Sequence, residues 1–200
     1  MQQNIFRGLL DGSATDTLML CEHPPVYTLG RATDISNILF TDEKLKKIGA
    51  EKFEIERGGD VTFHGPGQLV GYPLLNLSYF KEDLGWYLRA IEETIILTIK
   101  EFAIEGFRIL GKTGVWVRNG DEEEKICAIG VKATRWCTMH GFALNVNTDL
   151  SYFDYIIPCG IADKKVTSMS KVLGKIVEMD GVRNAYKEAF EEVFEISIGQ

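Results

Sequence analysis

The sequence predicts an α/β or α+β fold, a mixed β-sheet flanked by helices, built as one domain over 1–200. Three observations carry this. Short extended apolar runs are interspersed with amphipathic helical stretches, a hairpin signal lies near the middle, and no linker, repeat or low-complexity tract divides the chain. At 200 residues, 45% of them hydrophobic and 26% charged, the chain can bury one sizeable core.

Thr17 to Cys21 reads as a buried strand. His23-Pro24-Pro25 breaks it, and Val26 to Gly30 resumes an extended run. Thr41-Asp42-Glu43 caps a short helix that should stop near Gly49. Phe53 to Arg57 alternates apolar and charged residues like a half-buried strand, and Leu69 to Leu77 is extended and apolar. Leu84, Leu88, Ile91, Ile95, Ile99 and Phe102 recur at helical spacing, with Gly106 as the expected stop. Val115 to Val117 and Lys125 to Val131 flank Asn119-Gly120, a hairpin signal whose turn the acidic run Asp121 to Glu124 should widen. Phe142 to Val146 is a further strand, and Val182, Tyr186, Ala189, Phe190 and Val193 mark a second amphipathic helix.

Composition excludes several classes. The net charge of −7 argues against a nucleic-acid binder, which needs a basic face. No apolar run reaches ~18 residues, so no membrane span is expected. Met1-Gln2-Gln3-Asn4 has neither the basic nor the apolar region of a signal peptide, so a cytoplasmic location is expected. Cys21, Cys127, Cys137 and Cys159 form no C-x-x-C pair, so free thiols are expected and no metal.

Three segments could carry chemistry. Arg57-Gly58-Gly59-Asp60-Val61-Thr62-Phe63-His64-Gly65-Pro66-Gly67-Gln68 fixes tight turns and lets backbone approach a ligand, although a plain tight loop fits its composition as well. It is no P-loop, because no G-K-[ST] follows. Pro158-Cys159-Gly160 places a thiol in a turn; a neighbouring cation would raise its thiolate fraction, and Lys125, Lys132, Arg135, Lys164 and Lys165 all qualify. An inert cysteine is the plainer alternative. Met139-His140-Gly141 reads as a strand start with a polar histidine at the turn.

Taken together, these segments resemble the lipoyl(octanoyl) transferase family. The matching blocks are Glu22 to Gly30, Arg57 to Gln68, Lys125-Ile126-Cys127-Ala128-Ile129-Gly130, His140 to Asn147, and Pro158-Cys159-Gly160-Ile161. They cover most of the chain from Asp16 to about Leu173. The resemblance implies the fold shared by biotin and lipoate protein ligases. It implies a dyad of Cys159 and Lys125, the lysine being Lys125 and not Lys132. Acyl-binding positions would be Arg57, Gly58, Gly59, Asp60, Val61, Thr62, Phe63 and His64, then Ala128, Ile129 and Gly130, then His140, Gly141, Phe142 and Ala143. Family members usually carry a further strand and the start of a helix ahead of Met1, so that strand and part of the first helix are expected to be absent here.

The activity implied is transfer of an octanoyl or lipoyl group from acyl carrier protein to a lysine of lipoyl domains, the first step of endogenous lipoate synthesis. A thioester on Cys159 would be the intermediate. Expected partners are octanoyl-acyl carrier protein as donor, and the lipoyl domains of 2-oxoacid dehydrogenase complexes and the glycine cleavage H protein as acceptors, with no cofactor. Acidic carriers need a locally basic surface, for which Lys164, Lys165, Lys171 and Lys175 are candidates, against a plain solvated surface. Rival readings are an ATP-dependent lipoate or biotin ligase, a thioesterase, and a lipoyl-domain-binding module without catalysis.

Overall fold

A computed structural model of the chain describes residues 1–157 and 165–199. Among the described residues nine strands form two sheets: β1 (Thr17–Cys21), β2 (Val26–Leu29), β3 (Glu51–Glu54), β4 (Thr62–His64), β5 (Gln68–Leu74), β6 (Gly106–Ile109), β7 (Lys112–Asn119), β8 (Glu122–Thr134) and β9 (Cys137–Asn145). The large sheet has the order β1-β5-β9-β8-β7-β6 and is antiparallel at every pairing. The small sheet, β3-β2-β4, contains the parallel pair β2–β3, so the mixed character predicted from sequence resides there.

Five helices accompany them among the described residues: α1 (Gln2–Asp11), α2 (Asp42–Ile48), α3 (Leu84–Lys100), α4 (Met169–Leu173) and α5 (Met179–Phe194). In α3, the Asp83 carboxylate accepts from the Trp86 N–H at 3.0 Å and starts the helix. Tyr87, Ile91, Ile95 and Ile99, four residues apart, then form one buried stripe. Val182, Tyr186 and Phe190 do the same for α5. Both stripes pack on Leu69, Phe142, Leu144, Val115 and Val117, so this face of the large sheet holds the main core. On the other face, Phe6 and Leu9 of α1 cover Leu74, Cys137 and Met139. A separate apolar cluster of Tyr27, Val61, Phe63, Leu45 and Phe153 supports the small sheet.

Several elements differ from the sequence expectation. β1 is half-buried rather than buried, because it is an edge strand. The strand expected at Phe53 to Arg57 is instead β3, wholly exposed, while Arg57 itself turns inward. Helix α3 ends by Glu101, before the left-handed Ala103 (φ 59°), and Gly106 opens β6 instead of stopping the helix. The acidic run does not widen the hairpin. Asn119 pairs with Glu122 across a two-residue turn, and Glu122 to Glu124 belong to β8. His140 lies inside β9, not at a turn, with φ 63°.

Candidate active site

The site is built where side chains on the large sheet are too small to fill the space beneath the small sheet. Ala128 of β8 pairs with Ala143 of β9, and Ala143 pairs with Val70 of β5. All three line a concave cavity, with about 630 Å³ of empty space once the open solvent at its mouth is included. Arg57, Gly59, Asp60, Val61 and Thr62 roof it. The roof approaches so closely because Gly130 has no side chain. A Cβ there would lie 2.8 Å from the Gly58 carbonyl oxygen and 3.1 Å from the Arg57 Cδ. The Gly58 N–H donates to the Val131 carbonyl at 3.0 Å, which fastens the loop to the sheet.

Lys125 reaches this cavity through an irregularity. Val115 pairs with Cys127 but Trp116 pairs with Lys125, which leaves Ile126 as an extra residue on β8. Such a bulge reverses the alternation of side chains. Ile126 and Cys127 therefore both enter the main core, while Lys125 lines the cavity with Ala128 and Gly130. Lys125 is only 8% exposed, and its Nζ lies 4.8 Å from the centre of the Trp116 ring, a cation–π contact. Lys132 is different. Its ammonium pairs with Glu56 and it does not line the cavity. Arg135 stands in the exposed β8–β9 turn.

All three histidines of the chain gather here. The Gln68 amide donates to the Phe63 carbonyl (3.2 Å) and to Asn145 Oδ1 (2.9 Å), so its Oε1 faces His64. His64 Nδ1, 2.9 Å away, must then carry the hydrogen, which leaves Nε2 as an acceptor toward the Thr28 hydroxyl at 3.4 Å. Thr28 in turn accepts from Arg57 Nη2 at 3.1 Å. Burial pushes His64 down to about 4, and the Arg57 charge adds to this. His140 is pushed to about 4 for the same reasons, burial first and Arg57 next. Its Nε2 is buried and finds no hydrogen-bond partner among the described residues. His23 Nε2 and the Tyr72 hydroxyl share a hydrogen bond of 2.7 Å, and the His23 ring centre lies 6.0 Å from that of His64.

Both His64 and His140 are therefore neutral at physiological pH. The unfolded chain protonates them below ~6.5 while the folded chain does so only near 4, so folding stability is lost as the pH drops through that window. For His64 the loss is on the order of 3 kcal/mol. Urea midpoints of wild type and His64→Asn at pH 7 and pH 5 check this. The wild type should lose more stability between the two values than the variant, and equal losses would contradict it.

Of the sequence-predicted positions, Arg57, Gly59, Asp60, Val61, Thr62, His64, Lys125, Ala128, Ile129, Gly130, His140, Gly141, Phe142 and Ala143 line the one cavity. Gly58 borders a cleft that adjoins it at Lys125, and Phe63 is buried in the small-sheet cluster. Pro158, Cys159 and Gly160 lie outside the described residues. Their flanks are fixed: the Ile157 N–H donates to the Asn37 carbonyl, and the Lys125 N–H to the Lys165 carbonyl, each at 2.9 Å. Sequence reasoning did not place Thr28, Ile55, Val70, Tyr72 or Thr113 at the cavity. Thr28 and Tyr72 sit in strands opposite predicted elements, and only the pairing register could have found them. The basic patch is corrected in part. Lys165 pairs with Glu122 and Lys171 with Glu124, which offsets the charge a carrier would need, and Lys164 is outside the described residues.

The described residues contain no cluster of three or more His, Cys, Asp or Glu able to hold a metal, and no helix long and apolar enough to cross a membrane. Small side chains of alanine, glycine and valine thus floor a cavity beneath the small sheet, and the buried Lys125 lines it as well. Residues 1–191 match the lipoyl protein ligase A/B catalytic domain, and the chain belongs to that family. A relative from Flavobacterium johnsoniae named octanoyltransferase is 50% identical over 191 residues, covering 94% of this chain and 82% of the relative. Another octanoyltransferase, from Solibacter usitatus, is 48% identical and covers 99% of this chain and 87% of the relative. Among solved structures, lipoate-protein ligase A bound with ATP superposes with a TM-score of 0.80 at 18% identity, covering all of this chain and 80% of that one, and shows the shared fold.

Proposed function

We propose that this chain is an octanoyltransferase, which moves an octanoyl group from acyl carrier protein to a lysine of a lipoyl domain through a thioester on Cys159. The observation that carries the reading is the junction of a small-residue acyl slot with the buried Lys125, on a chain about half identical to relatives named octanoyltransferase. The Lys125 backbone bonds to Lys165, and Lys165 lies six residues from Cys159, at most ~20 Å of extended chain.

In the first step the Cys159 thiolate attacks the carrier thioester carbonyl. The bond to the phosphopantetheine sulfur breaks, and that sulfur takes a proton from the Lys125 ammonium. In the second, the acceptor lysine amine attacks the octanoyl-Cys159 carbonyl, the bond to Cys159 sulfur breaks, and Lys125 recovers a proton from the amine. An amide forms and the thiolate is restored. The group arrives activated as a thioester, so no ATP is consumed. Neutral His64 and His140 line the slot without adding charge to it.

The test is incubation with octanoyl-acyl carrier protein and unmodified lipoyl domain, without ATP. Octanoyl-lysine on the domain is expected. Product that appears only with free octanoate and ATP would overturn the reading in favour of a ligase, and release of free octanoate alone would favour a thioesterase.

A further inference from the structure

Glu92 lies midway along α3 with its side chain fully buried. A buried carboxylate is a poor means of packing a helix on a sheet, since desolvation offsets its ion pairs and a leucine would serve. Both of its oxygens are engaged. Oε2 takes Arg89 Nη1 at 2.7 Å and Arg108 Nε at 3.1 Å, which ties the helix to β6. Oε1 accepts the backbone N–H of Gly114 at 2.9 Å.

The Gly114 end bears on the active site. Gly114 has φ 125°, a conformation that favours glycine, and a Cβ there would lie 2.6 Å from the Cys127 carbonyl oxygen and 3.5 Å from the Lys125 Cε. The Gly114 backbone therefore runs beside the Lys125 stem, close enough that an added methyl would touch it. Its neighbour Thr113 lines the cavity, and Trp116, two residues on, lays its ring beside the Lys125 Nζ. Residues 113 to 116 thus enclose Lys125 from one side, and Glu92 holds this segment by a backbone hydrogen bond.

We propose that Glu92 is a positioning residue for Lys125, acting through the Gly114 N–H to fix the segment that confines the lysine stem and aims its ammonium into the slot. This rests on the reading of Lys125 as the proton-transfer lysine. Glu92 touches neither substrate nor reacting atoms, and its effect should appear in turnover more than in substrate affinity.

The experiment compares Glu92→Gln with Arg108→Gln in the full chain. In Glu92→Gln the two arginines hold the amide carbonyl oxygen and turn its NH2 toward the Gly114 N–H, so the backbone bond is lost while the helix–sheet tie survives. Arg108→Gln weakens the tie and leaves the Gly114 bond in place. Rates are measured per active site, titrated by octanoyl adduct. Glu92→Gln should lower kcat at least about tenfold with KM for the octanoyl carrier within about twofold, as expected for a misaimed group. Arg108→Gln should lower thermal stability and keep kcat within about twofold. Should Glu92→Gln not fold, Glu92→Asp keeps the carboxylate for the arginines, is one methylene too short to reach the Gly114 N–H as well, and is expected to show the same kcat loss. Wild-type kcat in Glu92→Gln, or equal kcat losses in both variants, overturns the proposal when Lys125→Ala is inactive. A fully active Lys125→Ala would instead overturn the reading of Lys125, and the proposal with it.

Discussion

Replacing Lys125 by alanine should lower octanoyl transfer per active site by about 10²- to 10⁴-fold, the range of a lost general acid–base, with little change in KM for the octanoyl carrier. The reason is position. Lys125 is 8% exposed, is carried to the slot by the bulge at Ile126, and has its ammonium against Trp116. Lys132, on the same strand, is already paired with Glu56. Lys125→Arg should not restore the rate, because a guanidinium stays protonated and cannot shuttle a proton. Lys132→Ala should keep kcat within about threefold. Steady-state kinetics on the three variants check this; a Lys132→Ala loss as large as that of Lys125→Ala would contradict the assignment.

Widening Ala143 to leucine should move acyl preference toward shorter chains. Ala143 is paired to both Ala128 and Val70 and stands at the centre of the slot floor. Three added carbons displace about three methylenes of substrate, each worth ~0.8 kcal/mol on burial, so the kcat/KM ratio of octanoyl to valeryl donor should fall by about 50-fold. Competition between the two acyl carriers reads the ratio directly. An unchanged ratio would mean that the acyl chain lies elsewhere.

Much of this was legible in the sequence, for identifiable reasons. The stripe from Leu84 to Phe102 and the capping Thr41 are local signals, and the helices formed where those signals stood. Residues of the glycine-rich block Arg57 to Gln68 and of the Lys125 to Gly130 segment, both singled out in the sequence, line one cavity. What sequence could not show depends on pairing across distance. The extra residue Ile126 that turns Lys125 to the slot is visible only in the register with β7. The exposure of β3 follows from its place at a sheet edge, although Lys52 and Glu54 alternate with Phe53 and Ile55 as they would in a half-buried strand. The role of Glu92 was hidden because a glutamate in an amphipathic helix reads as surface, and only Gly114, 22 residues away, reveals what it holds.

The central claim is that Cys159 carries the octanoyl group between donor and acceptor. Intact-protein mass spectrometry after brief incubation with octanoyl-acyl carrier protein tests it, comparing wild type with Cys159→Ala. A single octanoyl increment on wild type, absent from the variant and discharged when unmodified lipoyl domain is added, is the predicted result. No increment on folded wild type with intact donor, or an equal increment on Cys159→Ala, would contradict it.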